Sequence, residues 1–344
     1  MSFLKEQKKL PLFAGTAALL LALPFLLTMS FGNEYWVLIV CLMLIYIIAV
    51  SGLDILFGYS GQASMGHAAF FVVGSYTTCM LNNYFRVPLF ITIPLGAILA
   101  AAIGGLLAYP AAKLKFHFLA LATVAFGEIV YNFVLISPGG FTGDNLGAYA
   151  IGISFLENYT QWYYFLLFWV VIALLCKNFL IRSRTGRAFI AIRENTHAAD
   201  GMGVNVRKYK IIAFMVSAFY TGFAGSMYVH LIRYISPEAV RPRQSLLFLT
   251  MLLFGGIGTM AGPIIGVVIL MILMELIRPL QEYQMLFYGI LMLIVIVGLP
   301  GGIYGGIRSI IASYKHRKLA KNHTAKQKPG APTQNTEKGG DGDA

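Results

Sequence analysis

Long apolar runs separated by short polar breaks make up most of this chain, and their lengths set the elements. A bilayer core of ~30 Å is crossed by about 20 helical residues. On that scale the runs predict about ten spans, near 10–31, 36–57, 63–82, 88–109, 117–137, 162–181, 211–232, 246–261, 263–280 and 284–299. The third, eighth and ninth are short or interrupted by glycine and are expected to be broken or re-entrant, which puts the count between eight and ten. The expected fold is all-α: a polytopic transmembrane helical bundle over residues 1–314. The first run carries no small-x-small cleavage site and reads as an uncleaved anchor rather than a signal peptide. Beyond Ser313 large apolar residues almost vanish, so 315–344 reads as a disordered basic cytoplasmic tail.

One stretch breaks the apolar pattern. Gly186–Asn205, GRAFIAIRENTHAADGMGVN, lies between two long apolar runs and is polar but helix-favouring. At 100° per residue, Ala188, Phe189, Ile192, Thr196 and Ala199 share one face, and Arg187, Arg193, Glu194, His197 and Asp200 gather opposite. Ile190 is an apolar knob among those charges. Such a helix buries its stripe against a transmembrane bundle and offers its charged face to a partner in the cytoplasm; a solvated helix with no partner is the plainer alternative.

Composition supports the membrane reading. Hydrophobic residues are 58% of the chain and charged residues 12%, about half the charged share of a soluble protein. The net charge of +12 is no nucleic-acid signal, because its Lys and Arg cluster in the N-terminal segment, at Lys113 and Lys115, in 177–210 and beyond 301. With the N-terminus inside, all of these fall on the cytoplasmic side, as the positive-inside rule requires. Both termini are then cytoplasmic, and the loops 138–161 and 233–245 lie outside. Cys41, Cys79 and Cys176 sit inside apolar runs and read as small hydrophobes, with no disulfide framework and no metal site.

Three motifs lie at membrane depth. The first is GYSGQASMGH, 58–67, where Gly58, Gly61 and Gly66 with Ser60, Gln62 and Ser64 break the helix. Freed backbone groups there must be satisfied by protein or by a water-filled cavity, so the segment either lines a translocation path or packs helices closely through small residues. The second is Glu128 within LALATVAFGEIVY. A carboxylate at mid-span costs ~3 kcal/mol, so Glu128 is expected to face the bundle interior, as part of a path or as a hydrogen-bonded structural group. The third is GGIGTMAGP, 255–263, a tight helical hairpin or a broken helix. Asp54, just ahead of Gly58, is expected to cap or pair, and Glu275 to pair with Arg278 one turn on. A faint echo joins two motifs: Leu56-Phe57-Gly58-x-x-Gly61 recurs as Leu253-Phe254-Gly255-x-x-Gly258. No GxxxxGK[ST] phosphate cradle occurs, so the chain is expected to be no enzyme, to hold no cofactor, and to leave any ATP to separate subunits.

Taken together, GYSGQASMGHAAFFVVGSY (58–76), LALATVAFGEIV (119–130), TGDNLG (142–147), the 186–205 island, KYKIIAFMVSAFYTGFAGSMY (208–228) and LLFGGIGTMAGPIIG (252–266) resemble the permeases of branched-chain amino acid ABC importers. The resemblance runs from about 35 to 305 and is strongest to the M-type of two unlike permease subunits. It implies a bacterial inner-membrane subunit paired with an unlike H-type permease, two cytoplasmic ATPases and a periplasmic or lipid-anchored binding protein. It further implies that 186–205 is the coupling helix that docks on an ATPase, with Arg187, Ile190, Arg193, Glu194, His197 and Asp200 presented to it. The sequence departs from the family pattern at Asp54, where Asn is usual, at Phe116-His117, at Asp144 and at Tyr131, where Arg is frequent. These departures leave the solute open between leucine, isoleucine and valine and a urea or short amide. A self-sufficient secondary transporter is the alternative of another class.

Overall fold

The computed structural model describes residues 22–26, 29, 34–112, 114, 116–137, 140, 142–150, 156 and 158–283, and short pieces at 286, 289–290, 293 and 302–306. The expected first span, last span and basic tail lie wholly or largely outside these residues, as do Lys113 and Lys115. The described elements run α1 Tyr35–Leu53, extended by a wider π-turn over Asp54–Tyr59; α2 His67–Phe85; α3 Leu89–Ala111; α4 Phe116–Leu135; β1 Ala148–Tyr149; α5 Tyr159–Arg182; α6 Arg184–Glu194; α7 Thr196–Gly201; α8 Val206–Ile232; β2 Tyr234–Ile235; α9 Pro242–Gly255; and α10 Gly262–Ile277.

The helices follow the apolar runs, with starts and stops set by local chemistry. The α8 helix begins five residues ahead of the expected 211, because Asn205 Oδ1 accepts from Lys208 N at 3.0 Å and caps it. The expected span 246–261 instead stops at Gly255, since Gly256 (φ 119°) and Gly258 (φ 68°) turn the chain back. At 14 and 16 residues, α9 and α10 rise only ~21 and ~24 Å, less than the hydrocarbon core, and form a short helical hairpin as the glycine pattern predicts. Among the described residues five helices are long and apolar enough to cross a membrane: Tyr35–Tyr59, Leu89–Ala111, His117–Leu135, Tyr159–Arg182 and Val206–Ile232. The expected total of about ten is therefore not established.

The fold is helical as expected, with a pair of two-residue strands between loops among the described residues. Ala148 pairs with Ile235 and Tyr149 with Tyr234, antiparallel, which joins the loops after α4 and after α8 at one end of the bundle. The 24 residues of α5 and 27 of α8 span ~36 and ~40 Å and carry α6 and α7 to the opposite end.

The bundle is built around α8, whose buried residues include a set of small ones, Ala213, Ser217, Ala218, Thr221, Gly222, Ala224, Gly225 and Ser226. Lipid tails are as apolar as leucine, so helices in a bilayer associate through close packing and polar contacts rather than by escaping water. A Cβ at Gly225 would stand 1.9 Å from Phe71 O, and one at Gly222 2.3 Å from Ala100 Cβ. Ser75 Oγ donates to Gly225 O at 2.7 Å, and Ser226 Oγ to Gly74 O at 3.1 Å, which fixes the register of α2 on α8.

Gly225→Ala is accordingly expected to cost about 1–3 kcal/mol by overpacking and to lower the melting temperature of the detergent-purified protein. Gly127→Ala, with nothing within 4 Å of the added methyl, should leave it unchanged. Equal melting of both variants would refute the close α2–α8 approach.

Candidate functional site

The island 186–205 folds as two short helices. Ser183 Oγ accepts from Gly186 N to start α6, and Asn195 Oδ1 accepts from His197 N and Ala198 N, both at 3.0 Å, to restart the chain as α7. The expected stripe is buried at Ala188, Phe189, Ile192 and Ala199. Arg187, Glu194, His197 and Asp200 are exposed, and Ile190 stands 39% exposed among them. A cavity of about 550 Å³ beside α7 is lined by His197, Asp200, Arg207 and Lys210.

Arg193 is exposed like the other charges of that face, and it also reaches back into the chain. Its guanidinium donates through Nη1 to Gly58 O, and its stem packs on Gly61, where a Cβ would lie 3.1 Å from Arg193 Cγ. The α6 helix is thereby tied to the broken segment.

That segment is satisfied within the chain. Gly58 and Gly66 are buried and Gly61 partly so; Ser60, Gln62 and Ser64 are 3%, 4% and 2% exposed. Gln62 Nε2 donates to Ser60 Oγ at 2.6 Å and to Lys210 O at 3.2 Å, and Met65 N to Thr123 Oγ1 at 3.0 Å. His67 follows at the start of α2. Ser217 Oγ donates to Gly52 O at 2.7 Å and so accepts from His67 Nε2 at 2.6 Å, while Nδ1 lies 2.8 Å from Ser64 Oγ. This arrangement places a proton on Nε2. The glycines of 58–66 approach neighbouring backbone and side chains closely.

A residue that sequence reading placed among the cytoplasmic charges lies at the centre of the site. Lys177 on α5 is fully buried, and its Nζ stands 2.7 Å from Asp54 Oδ2, also fully buried. Asp54 therefore pairs, as its position suggested, but with an unforeseen partner. Its other oxygen accepts from Gly258 N at 2.7 Å, and Tyr59 covers the ammonium with its ring centroid at 5.7 Å. The two LFGxxG copies meet here: a Cβ on Gly58 would lie 2.6 Å from Gly258 N and 2.0 Å from Asp54 Oδ1. The signal for this pair was present in the sequence as opposite charges inside two expected spans, 36–57 and 162–181, each a few residues from the end expected on the cytoplasmic side.

Glu128 corrects another expectation. The α4 helix buries Leu119, Ala120, Thr123 and Val134, and Glu128 lies across the helix from them, exposed on the surface of this chain. Other apolar residues of α4, Leu121, Ile129 and Phe133, and Ile136 just beyond it are 65–74% exposed. Tyr131, at a departure from the family pattern, accepts from Arg241 Nη2 at 3.3 Å, so a guanidinium reaches this position from another segment. Glu275 forms its expected pair with Arg278, at 3.2 Å, and also accepts from Tyr35 Oη at 2.7 Å.

A family model described as branched-chain amino acid transport system / permease component matches residues 35–296. The high-affinity branched-chain amino acid transport system permease protein LivM of Escherichia coli K12 is 31% identical over 293 residues, covering 77% of this chain and 69% of its own length. The corresponding LivH protein of Escherichia coli K12 is 24% identical over 286 residues, 76% of this chain and 91% of its own. The guanosine ABC transporter permease protein NupP of Bacillus subtilis is 28% identical over 195 residues, 52% and 55% of the two chains. No solved structure matches. With the match extending through the broken segment, the polar island and the glycine hairpin, this multi-pass chain belongs to the permease-component family of branched-chain amino acid transport systems.

Proposed function

We propose that the chain is one membrane-spanning subunit of an ATP-binding-cassette importer in a bacterial inner membrane, that it carries branched-chain amino acids, and that it takes its power stroke from separate ATPase subunits through α6 and α7. The observation that carries this reading is the outer face of α6. An isoleucine left exposed at the tip of a bundle, with exposed Arg187, Arg193 and Glu194 one turn away on the same helix, has the apolar knob and polar rim of a protein interface. The helix makes no chemistry; a displacement of it shifts the balance between two arrangements of the bundle.

Glu128 fits the same assembly. On a lipid-facing surface its carboxylate costs ~3 kcal/mol, whereas an unlike permease packed on α4 gives it a polar or solvated neighbour. The loop 60–66, packed into its own chain, serves as the hinge of the path rather than its wall. An ion-coupled secondary transporter is less well supported: Asp54 is neutralised by Lys177 and Glu275 by Arg278, and α6 is left without a task. A second solute class, nucleosides, is raised by the guanosine permease among the relatives; urea or short amides remain a third.

Co-expression with neighbouring transport genes, followed by purification on a tag carried by this chain, is expected to yield an ATPase and a second permease. The reconstituted complex should take up leucine only with ATP and a binding protein. Guanosine or urea uptake in place of leucine would reassign the solute, and a chain that transports without any ATPase would refute the importer reading. Ile190→Asp should insert and fold normally yet lower ATP-driven uptake at least about tenfold, as for a central interface residue. Unchanged uptake would rule out docking by that face.

A further inference from the structure

A buried ion pair is a poor source of stability, because desolvating two charges offsets most of their attraction. A fully buried Lys177–Asp54 pair therefore calls for a role beyond holding the fold together, and its connections supply one. Asp54 holds Lys177 with one oxygen and the backbone N–H of Gly258 with the other. Gly258 belongs to the α9–α10 hairpin and Asp54 to the π-turn of α1, so one carboxylate spans both glycine breaks. Lys177 sits on the last turns of α5, which continues through Ser183 into α6. From α6, Arg193 returns to Gly58 O.

The result is a closed loop of contacts. The α6 helix reaches the breaks once through α5 and the Lys177–Asp54 pair, and again through Arg193. One contact alone would let α6 pivot; two separate ones fix its angle as well as its position. The glycine contacts leave no slack, since Gly58 has no room for a Cβ against Asp54 or Gly258.

We propose that Asp54 and Lys177 are positioning residues for energy coupling, whose buried pair, together with Arg193, locks α6 to both glycine breaks so that the three move as one rigid body. The proposal rests on the reading of α6 as the ATPase contact. It also gives sense to Asp at position 54, where the family resemblance places Asn: a neutral amide leaves a buried lysine without its counter-charge.

The test is the number of ATP molecules hydrolysed per solute carried, in proteoliposomes holding the full transporter. Asp54→Asn with Lys177→Gln removes both charges at similar volume, and Arg193→Gln removes the guanidinium contact to Gly58 O from an exposed residue of the bundle tip. Each is expected to retain its ATPase partners and to raise the ATP-to-solute ratio by roughly tenfold, and the swap of Asp54→Lys with Lys177→Asp should bring the ratio back toward that of the unaltered protein. A purely structural pair would change yield or melting but not the ratio. Should the double variant fail to assemble, Arg193→Gln decides: an unaltered ratio there, or in an assembled double variant, overturns the proposal. If the unaltered protein itself shows no ATP-dependent uptake, the importer reading fails and the proposal with it.

Discussion

The structure depends on a carboxylate and an ammonium, both sealed from solvent, that must find each other. Neither Asp54 nor Lys177 retains any accessible surface, and breaking such a pair from one side typically costs ~3–5 kcal/mol because the remaining charge stays buried. That constraint fixes where the end of α1 sits against the end of α5. Since Asp54 also takes the Gly258 N–H, it fixes the hairpin as well. Two glycine-rich breaks, far apart in the chain and each costly to bury alone, satisfy one another at this point.

The rest of the bundle is compatible with that anchor because α8 admits its neighbours closely. Small residues at its buried face place α2, α3 and α1 near its backbone, and serine and histidine side chains pin them in register. Ser217 alone joins α8 to Gly52 O on α1 and to His67 on α2. Polar groups at the break 58–66 are held in part by neighbouring helices, Met65 N by Thr123 Oγ1 and Gln62 by Lys210 O. On the proposed reading, this spine, with α6 and α7 at one end and the joined strands at the other, passes on a push at its tip.

Much of this was legible in the sequence. Run length and periodicity gave most helices to within a few residues, and the amphipathic stripe of 186–205 buried Ala188, Phe189, Ile192 and Ala199 as expected. What the sequence concealed was long-range. The lysine inside α5 read as part of a basic cluster, because charge counting registers position along the chain but not depth or partner. Arg193 shares its helical face with outward charges, yet a guanidinium on a long stem can fold back to a carbonyl that only the tertiary fold brings near. The two LFGxxG copies were visible as an echo, but nothing in their spacing indicated that they touch. Glu128 was expected inside on the sound ground that lipid excludes charge; the chain places it on an outer face, where a second subunit can supply the polar surroundings.

The most direct measurement is a pair of spin labels at Arg187→Cys on α6 and Met65→Cys in the broken loop, in a protein whose three native cysteines have been replaced. Both side chains are accessible. Pulsed dipolar distances are compared between the nucleotide-free transporter and one trapped with its ATPases closed, closure being verified by labels on the ATPases themselves. A distance distribution that keeps its mean and width through closure is the predicted result. A mean that shifts as the ATPases close would show that α6 slides over the broken segment, and would contradict the account.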